Sequence, residues 1–230
     1  MRDAGLTVEP LAAQTILVDQ VYRSLVAAIA DRTLEPGRRI LQAELAASLG
    51  VSRQPISHAL QLLKQQRLVQ DVGRKGLQVS PIDPARIRQL YEVRGALDAL
   101  AARLAASRTL PPAAVRALEA AVAAGVVLGP TATIARLVQA DVAFHQIIYD
   151  LSDNPAIPET LAGQGPHLRR SMGAVLDADS YRRRAWSEHA EIARLILAGR
   201  PAEAGDAAQQ HAVDAGRQTE RRLVQEASPG

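Results

Sequence analysis

The chain has no cysteine. That excludes disulfides, thiolate nucleophiles and every Cys-ligated metal site, so any metal must rest on His and carboxylate. Aromatics are scarce, with one Phe, one Trp and four Tyr among 230 residues. Long apolar runs are lacking too: the longest, around Ala120 to Leu128, falls far short of the roughly 20 residues a bilayer span needs, so no membrane partner is expected. The first ten residues carry acids at Asp3 and Glu9 and lack the basic-then-apolar order of a secretory signal, so the expected location is cytoplasmic. What is not lacking is apolar content, at 47% against 22% charged, which excludes a disordered chain.

Ala, Leu and Arg are abundant and lose little conformational freedom in a helix, so the composition favours helices packed through small residues. The net charge of +3 is unevenly placed. Residues 1–80 carry 10 Lys and Arg against 7 Asp and Glu, while residues 81–230 carry 17 of each. A positive bias confined to one third of the chain points to a polyanion-binding segment joined to a neutral one.

Apolar spacing predicts a helix over Thr15–Asp31, a short one over Ala43–Leu49 stopped by Gly50, and a third from Ser52, acting as cap through its hydroxyl, to about Gln66. Two short alternating runs, 67–72 and 76–80, then form a hairpin with the basic tip Gly73-Arg74-Lys75. After Pro81 and Pro84 the periodicity is helical throughout: Ala85–Ser107, Pro112–Val127, Thr131–Leu151, a looser Ala156–Val175, Ser180–Ala198 and Pro201–Gln225. The expected division is therefore 1–80 and 81–230. The fold class is mainly α, with a β-hairpin in the first part and an all-α bundle in the second.

In the third helix Ile56, Leu60 and Leu63 form the inward stripe, leaving Arg53, Gln54, Ser57, His58 and Gln61 outward. Those side chains suit the DNA major groove, which admits a helix. The helix N-terminus and Arg53 offer N–H groups and positive charge to a phosphate. Arg74 and Lys75 are placed to enter a minor groove or grip the backbone.

Pro36-Gly37-Arg38-Arg39-Ile40, Glu44-Leu45-Ala46, Leu49-Gly50-Val51-Ser52-Arg53-Gln54-Pro55-Ile56, Ala59-Leu60, Leu68-Val69 and Gly76 together resemble the winged helix-turn-helix of GntR-type bacterial transcription regulators. The resemblance implies operator-DNA contact from Arg39, Ser52, Arg53, Gln54, Ser57, His58, Gln61, Arg74, Lys75 and Gly76. Relatives usually carry a base-reading Arg where this chain has Ser57, an acid where it has His58, and often a base where it has Ala43. Ser57 cannot make the bidentate contact to guanine worth about 1–3 kcal/mol of discrimination.

In the helical part, Asp141 and His145 are four apart and share a helix face with Val138, Phe144 and Ile148, the spacing by which one helix offers two ligands to one ion. His189 lies on the stripe of Trp186, Ala193 and Ile196, and His211 on that of Ala204, Ala208 and Ala215. Spacing alone leaves two readings open: a divalent metal held by all four, or an Asp141–His145 pair with His189 and His211 bonded to backbone. Arg94 is the candidate for an anionic effector through its guanidinium fork, with a surface salt bridge to Glu92 or Asp98 as its alternative. His167 is expected exposed in a loop. At most one of Arg169 and Arg170 faces inward, and Arg182-Arg183-Arg184 is either a solvated face or a patch near DNA.

Asp141-Val142-Ala143-Phe144-His145, Glu188-His189, His211, Tyr91-Glu92-Val93-Arg94 and Asn154 are similar to the recurring positions of the FadR-like C-terminal effector domain, the FCD domain. That likeness implies metal ligation by Asp141, His145, His189 and His211, by Zn or alternatively Ni, Mn or Fe. The implied protein is a homodimeric regulator, not an enzyme, whose operator binding answers to a small carboxylate metabolite. The rival function is a metal-dependent hydrolase built on the same Asp/His cluster, which would leave the DNA-reading module unexplained.

Overall fold

The computed structural model describes residues 14–73, 76–129 and 131–227. By their internal packing they divide into two compact units, the first ending at Pro81 and the second starting at Ile82.

The first unit runs α1 (Gln14–Ala30), β1 (Arg39–Ile40), α2 (Gln42–Leu49), α3 (Arg53–Gln65), β2 (Val69–Asp71) and β3 (Leu77–Val79). Val21, Leu25 and Ile29 recur every four residues on α1 and close on Ile56, Ala59, Leu60 and Leu63 of α3 in one buried cluster. Each of the Val, Leu and Ile side chains contributes about 1.5–3 kcal/mol on burial. Between α2 and α3 the chain reverses at Gly50, whose φ of 66° is left-handed and whose N–H returns to the carbonyls of Ala46 and Ala47. The sheet has the antiparallel order β1-β3-β2, with Val69 opposite Val79 and Arg39 opposite Gln78. Strand β1 is two residues long, too short for alternation to announce it. The expected hydroxyl cap does not form: Ser52 occupies the N-cap position with extended backbone, but its exposed side chain makes no capping hydrogen bond, leaving the first N–H groups of α3 without that cover. Arg74 and Lys75, the expected hairpin tip, lie outside the described residues. This helix, helix-turn-helix and hairpin order is a winged helix-turn-helix.

The second unit is all helical: α4 (Pro84–Ala106), α5 (Pro112–Val126), α6 (Ile134–Leu151), α7 (Ala156–Ala162), α8 (Gly165–Leu176), α9 (Asp179–Leu197) and α10 (Pro201–Ala227). The Asp83 carboxylate starts α4 by accepting from the N–H groups of Ala85 (3.0 Å) and Arg86 (3.2 Å). Helices α4 and α10 pack along each other through small residues. A Cβ at Gly216 would stand 2.5 Å from that of Tyr91, so this approach requires glycine. Ala101, Ala102 and Ala105 let α4 sink against a core of Leu118, Phe144, Ile148, Trp186, Ile192 and Ile196. The loose helix expected over 156–175 is two helices, α7 and α8, divided at Gly163 and Gln164. Among the described residues no helix is long and apolar enough to cross a membrane.

Candidate metal centre and nucleic-acid interface

Helix α6 turns both Asp141 and His145 inward, as their spacing of four requires, and α9 and α10 bring His189 and His211 to the same point. All four residues are buried, and one donor atom from each lies within 4.8 Å of the others. His189 Nε2 is 3.0 Å from His211 Nε2 and 3.6 Å from Asp141 Oδ1, and His145 Nε2 is 3.9 Å from Asp141 Oδ2. The alternative arrangement is not what folds: Asp141 and His145 stand too far apart for a hydrogen bond, and the Nε2 atoms of His189 and His211 meet each other instead of backbone.

Two observations test whether the group fits a metal ion. Asp141 Oδ2 and His145 Nε2 are buried without a hydrogen-bond partner among the described residues, a costly state for polar atoms that a cation between them would relieve. Two of the rings, His145 and His189, are also held neutral, with lone pairs to give. Burial, followed by the Arg94 charge, pushes His145 well below the usual imidazole range; burial, then His211 and Arg94, does the same to His189. The dry walls are Phe144, stacked on His189 at 4.3 Å between ring centroids, and Trp186, edge-on to it at 4.7 Å. Burial raises the Asp141 pKa, opposed by Arg94 and then His211. A donor set of three imidazoles and one carboxylate suits Zn²⁺ and its transition-metal neighbours.

Arg94 is buried, which excludes a surface salt bridge as its role. Its Nε donates to Asp98 Oδ2 at 3.2 Å, and its Nη2 lies 3.9 Å from Asp141 Oδ2. Burial opposes the Arg94 charge, yet Asp98, then Tyr149 and Asp141, hold its pKa well above the usual value. Asp98 went unrecognised in the sequence as part of this centre. Its Oδ1 accepts from the Tyr149 hydroxyl at 2.5 Å, and its Oδ2 is 3.5 Å from His145 Nδ1. Burial, reinforced by Asp98, raises the Tyr149 pKa far above the phenol range. Arg170 is buried and Arg169 exposed. His167 sits in α8, half-buried, with Nδ1 3.2 Å from Arg170 Nη2, and not in an exposed loop. Of the arginine run, Arg182 is neither solvated nor a surface patch: its Nη1 donates to the carbonyls of Leu176 (2.8 Å) and Asp177 (2.9 Å), closing the end of α8. Arg183 and Arg184 are exposed and ion-paired.

In the first unit Arg53, Gln54, His58 and Gln61 of α3 are exposed and Ser57 half-buried, opposite the buried stripe. Ser52, Arg39 and Gly76 are exposed as well. No carboxylate among the described residues pairs with Arg53 or Arg39, whereas the neighbouring Arg38 is tied to Glu44 at 2.8 Å. Residues 17–79 match the gntR family of bacterial regulatory proteins and residues 89–214 match the FCD domain.

The chain belongs to the GntR family.

It is 32% identical over 185 residues to an HTH-type transcriptional regulator in an unstable DNA locus of Streptomyces ambofaciens, covering 78% of this chain and 75% of that protein. It is 35% identical over 85 residues to the HTH-type transcriptional regulator YdhC of Bacillus subtilis, covering 37% of this chain and 38% of that one. The crystal structure of a GntR transcriptional regulator from Rhodococcus sp. RHA1 shares the fold, with a TM-score of 0.73 at 23% identity, covering 92% of this chain and 99% of that one. GntR proteins are transcription regulators that bind operator DNA, not enzymes, so the Asp/His cluster is not that of a hydrolase.

Proposed function

We propose that this regulator holds a divalent ion, Zn²⁺ or alternatively Ni, Mn or Fe, on Asp141, His145, His189 and His211, and that a small carboxylate metabolite bound beside it modulates operator binding. The observation that carries this reading is the convergence of four buried donor atoms from three helices within 4.8 Å. A bound ion supplies a Lewis-acidic positive charge able to accept an oxygen ligand. The chain's own groups do the rest. Phe144 and Trp186 exclude water, His145 and His189 stay uncharged, and Arg94 offers its fork to the metabolite's carboxylate in exchange for part of its hold on Asp98.

On the DNA side, Arg53 and the open N–H groups at the start of α3 meet phosphate, while Gln54, Ser57, His58 and Gln61 face base edges. Arg39, Ser52 and Gly76, with Arg74 and Lys75 as the sequence leads one to expect, supply further backbone contacts. Two copies would present two such helices to the half-sites of a pseudo-palindromic operator. Val93 and Leu100, 48% and 41% exposed one heptad apart on α4, offer an apolar strip for that homodimer. The metabolite shifts DNA affinity only by binding one arrangement of the dimer better than the other. Metal analysis tests the central claim: protein loaded with Zn²⁺ and dialysed is expected to retain about one ion per chain, and His189→Ala to lose it. Equal metal content in the variant would refute the ligand set.

A further inference from the structure

We propose that Glu188, braced by Arg184, is a positioning residue for the metal centre, holding His211 in the tautomer whose Nε2 lone pair faces the ion site. This rests on the reading of Asp141, His145, His189 and His211 as ligands. Glu188 neighbours His189 on α9, but its carboxylate turns to the other helix: Oε2 lies 2.7 Å from His211 Nδ1 on α10. An ionised carboxylate has no proton to give, so the hydrogen bond must come from N–H at Nδ1. A neutral imidazole carries one such proton, so Nε2 keeps its lone pair, 3.0 Å from His189 Nε2 and within the group of four donor atoms. That is the state a cation at the common point requires, and it is set before any ion arrives.

The brace crosses the same seam. One turn earlier on α9, Arg184 Nε stands 3.3 Å from the other carboxylate oxygen of Glu188, while its Nη2 donates to Gln218 Oε1 on α10 at 2.6 Å. The guanidinium thus ties both helices and keeps the Glu188 carboxylate oriented. Among the three imidazoles this support belongs to His211. Asp98 stands at the limit of reach from His145 Nδ1, at 3.5 Å, and its oxygens are engaged by Arg94 and Tyr149. His189 Nδ1 is buried with no hydrogen-bond partner among the described residues. A carboxylate behind a ligating imidazole raises its basicity and fixes its ring, and losing such a partner costs about 10–100-fold in metal affinity. Glu188 remains partly exposed, so its substitution leaves the core intact.

The test is Zn²⁺ competition with a chromophoric chelator on the full chain, comparing wild type, Glu188→Gln, Glu188→Ala, Arg184→Ala and His211→Ala. Expected affinities fall in the order wild type, Glu188→Gln, Glu188→Ala, His211→Ala, with Glu188→Ala about 10–100-fold weaker than wild type and Arg184→Ala between wild type and Glu188→Ala. Histidine ¹⁵N spectra of the metal-free protein give a readout that a merely structural role would not move: His211 is protonated at Nδ1 in wild type and gains Nε2-protonated population in Glu188→Ala. Wild-type affinity and tautomer in Glu188→Ala, with affinity lost in His211→Ala, overturns the positioning role alone. Wild-type affinity in His211→Ala overturns the ligand set, and this proposal with it.

Discussion

Gly125, in the last turn of α5, is the point where that helix meets α9, and adding one methyl there has a calculable cost. A Cβ on Gly125 would stand 2.0 Å from Trp186 Cζ2 and 2.1 Å from Cη2, where ordinary contact begins at 3.4 Å. The indole must therefore retreat by about 1.4 Å, far beyond what side-chain give supplies. Its retreat is blocked, because the Trp186 ring already lies edge-on to His189 at 4.7 Å and to Phe144 at 6.1 Å. Overpacking of this kind costs about 1–3 kcal/mol, and three ring atoms in conflict place it at the upper end. Alanine returns at most about 1 kcal/mol of helix propensity. The net for Gly125→Ala is about 2 kcal/mol of destabilisation, or a fall of about 4–8 °C in the melting midpoint for a unit of this size. The chain has a single Trp, so Trp186 fluorescence during heating reports on the C-terminal unit alone. Gly163→Ala, at the end of α7 where a Cβ meets nothing within 4 Å, is the control and should leave the midpoint in place or raise it slightly through helix propensity. A Gly125→Ala midpoint at or above wild type would show that α5 and α9 do not meet as described.

Three further outcomes can be measured singly. Arg53→Ala should weaken operator and non-specific DNA alike and reduce the slope of log affinity against log salt by about one, and an unchanged slope in a titration would remove Arg53 from the phosphate contacts. Asp83→Ala removes the side-chain cap at the start of α4 and should cost about 1 kcal/mol by urea denaturation followed at Trp186, whereas no change would mean that Pro84 alone starts the helix. Leu100→Glu should leave a single chain by size-exclusion chromatography with light scattering, and a persisting dimer would exclude the Val93–Leu100 strip as its interface.

Much of this architecture was legible in the sequence because periodicity reports which way a residue faces on its own helix. Asp141 and His145 fall among Phe144 and Ile148, His189 among Trp186 and Ile196, and each stripe alone says that these polar groups are buried. Likewise Ile56, Leu60 and Leu63 leave Arg53, Gln54, His58 and Gln61 for the outer face of α3, with Leu62 the exposed apolar exception. Boundaries marked by strong stop signals were readable as well, with Gly50 and Pro84 within a residue or two of helix ends.

Periodicity does not report what lies opposite. Glu188 is about 100° round the helix from the inward His189, so on its own helix it reads as solvent-facing. Only the course of α10 brings His211 Nδ1 to its carboxylate. Arg94 and Asp98 are four apart and legible as a pair, but whether the pair is superficial or sealed depends on α6 covering it with Tyr149 and His145. Arg182 reads as part of a charged run because three arginines in a row resemble a surface, yet its guanidinium folds back onto carbonyls that α8 leaves open where it ends. In each case the missing information is the identity of the facing helix. A buried charge is stable only with a partner, so each of these polar groups in the sequence demanded a second element without naming it.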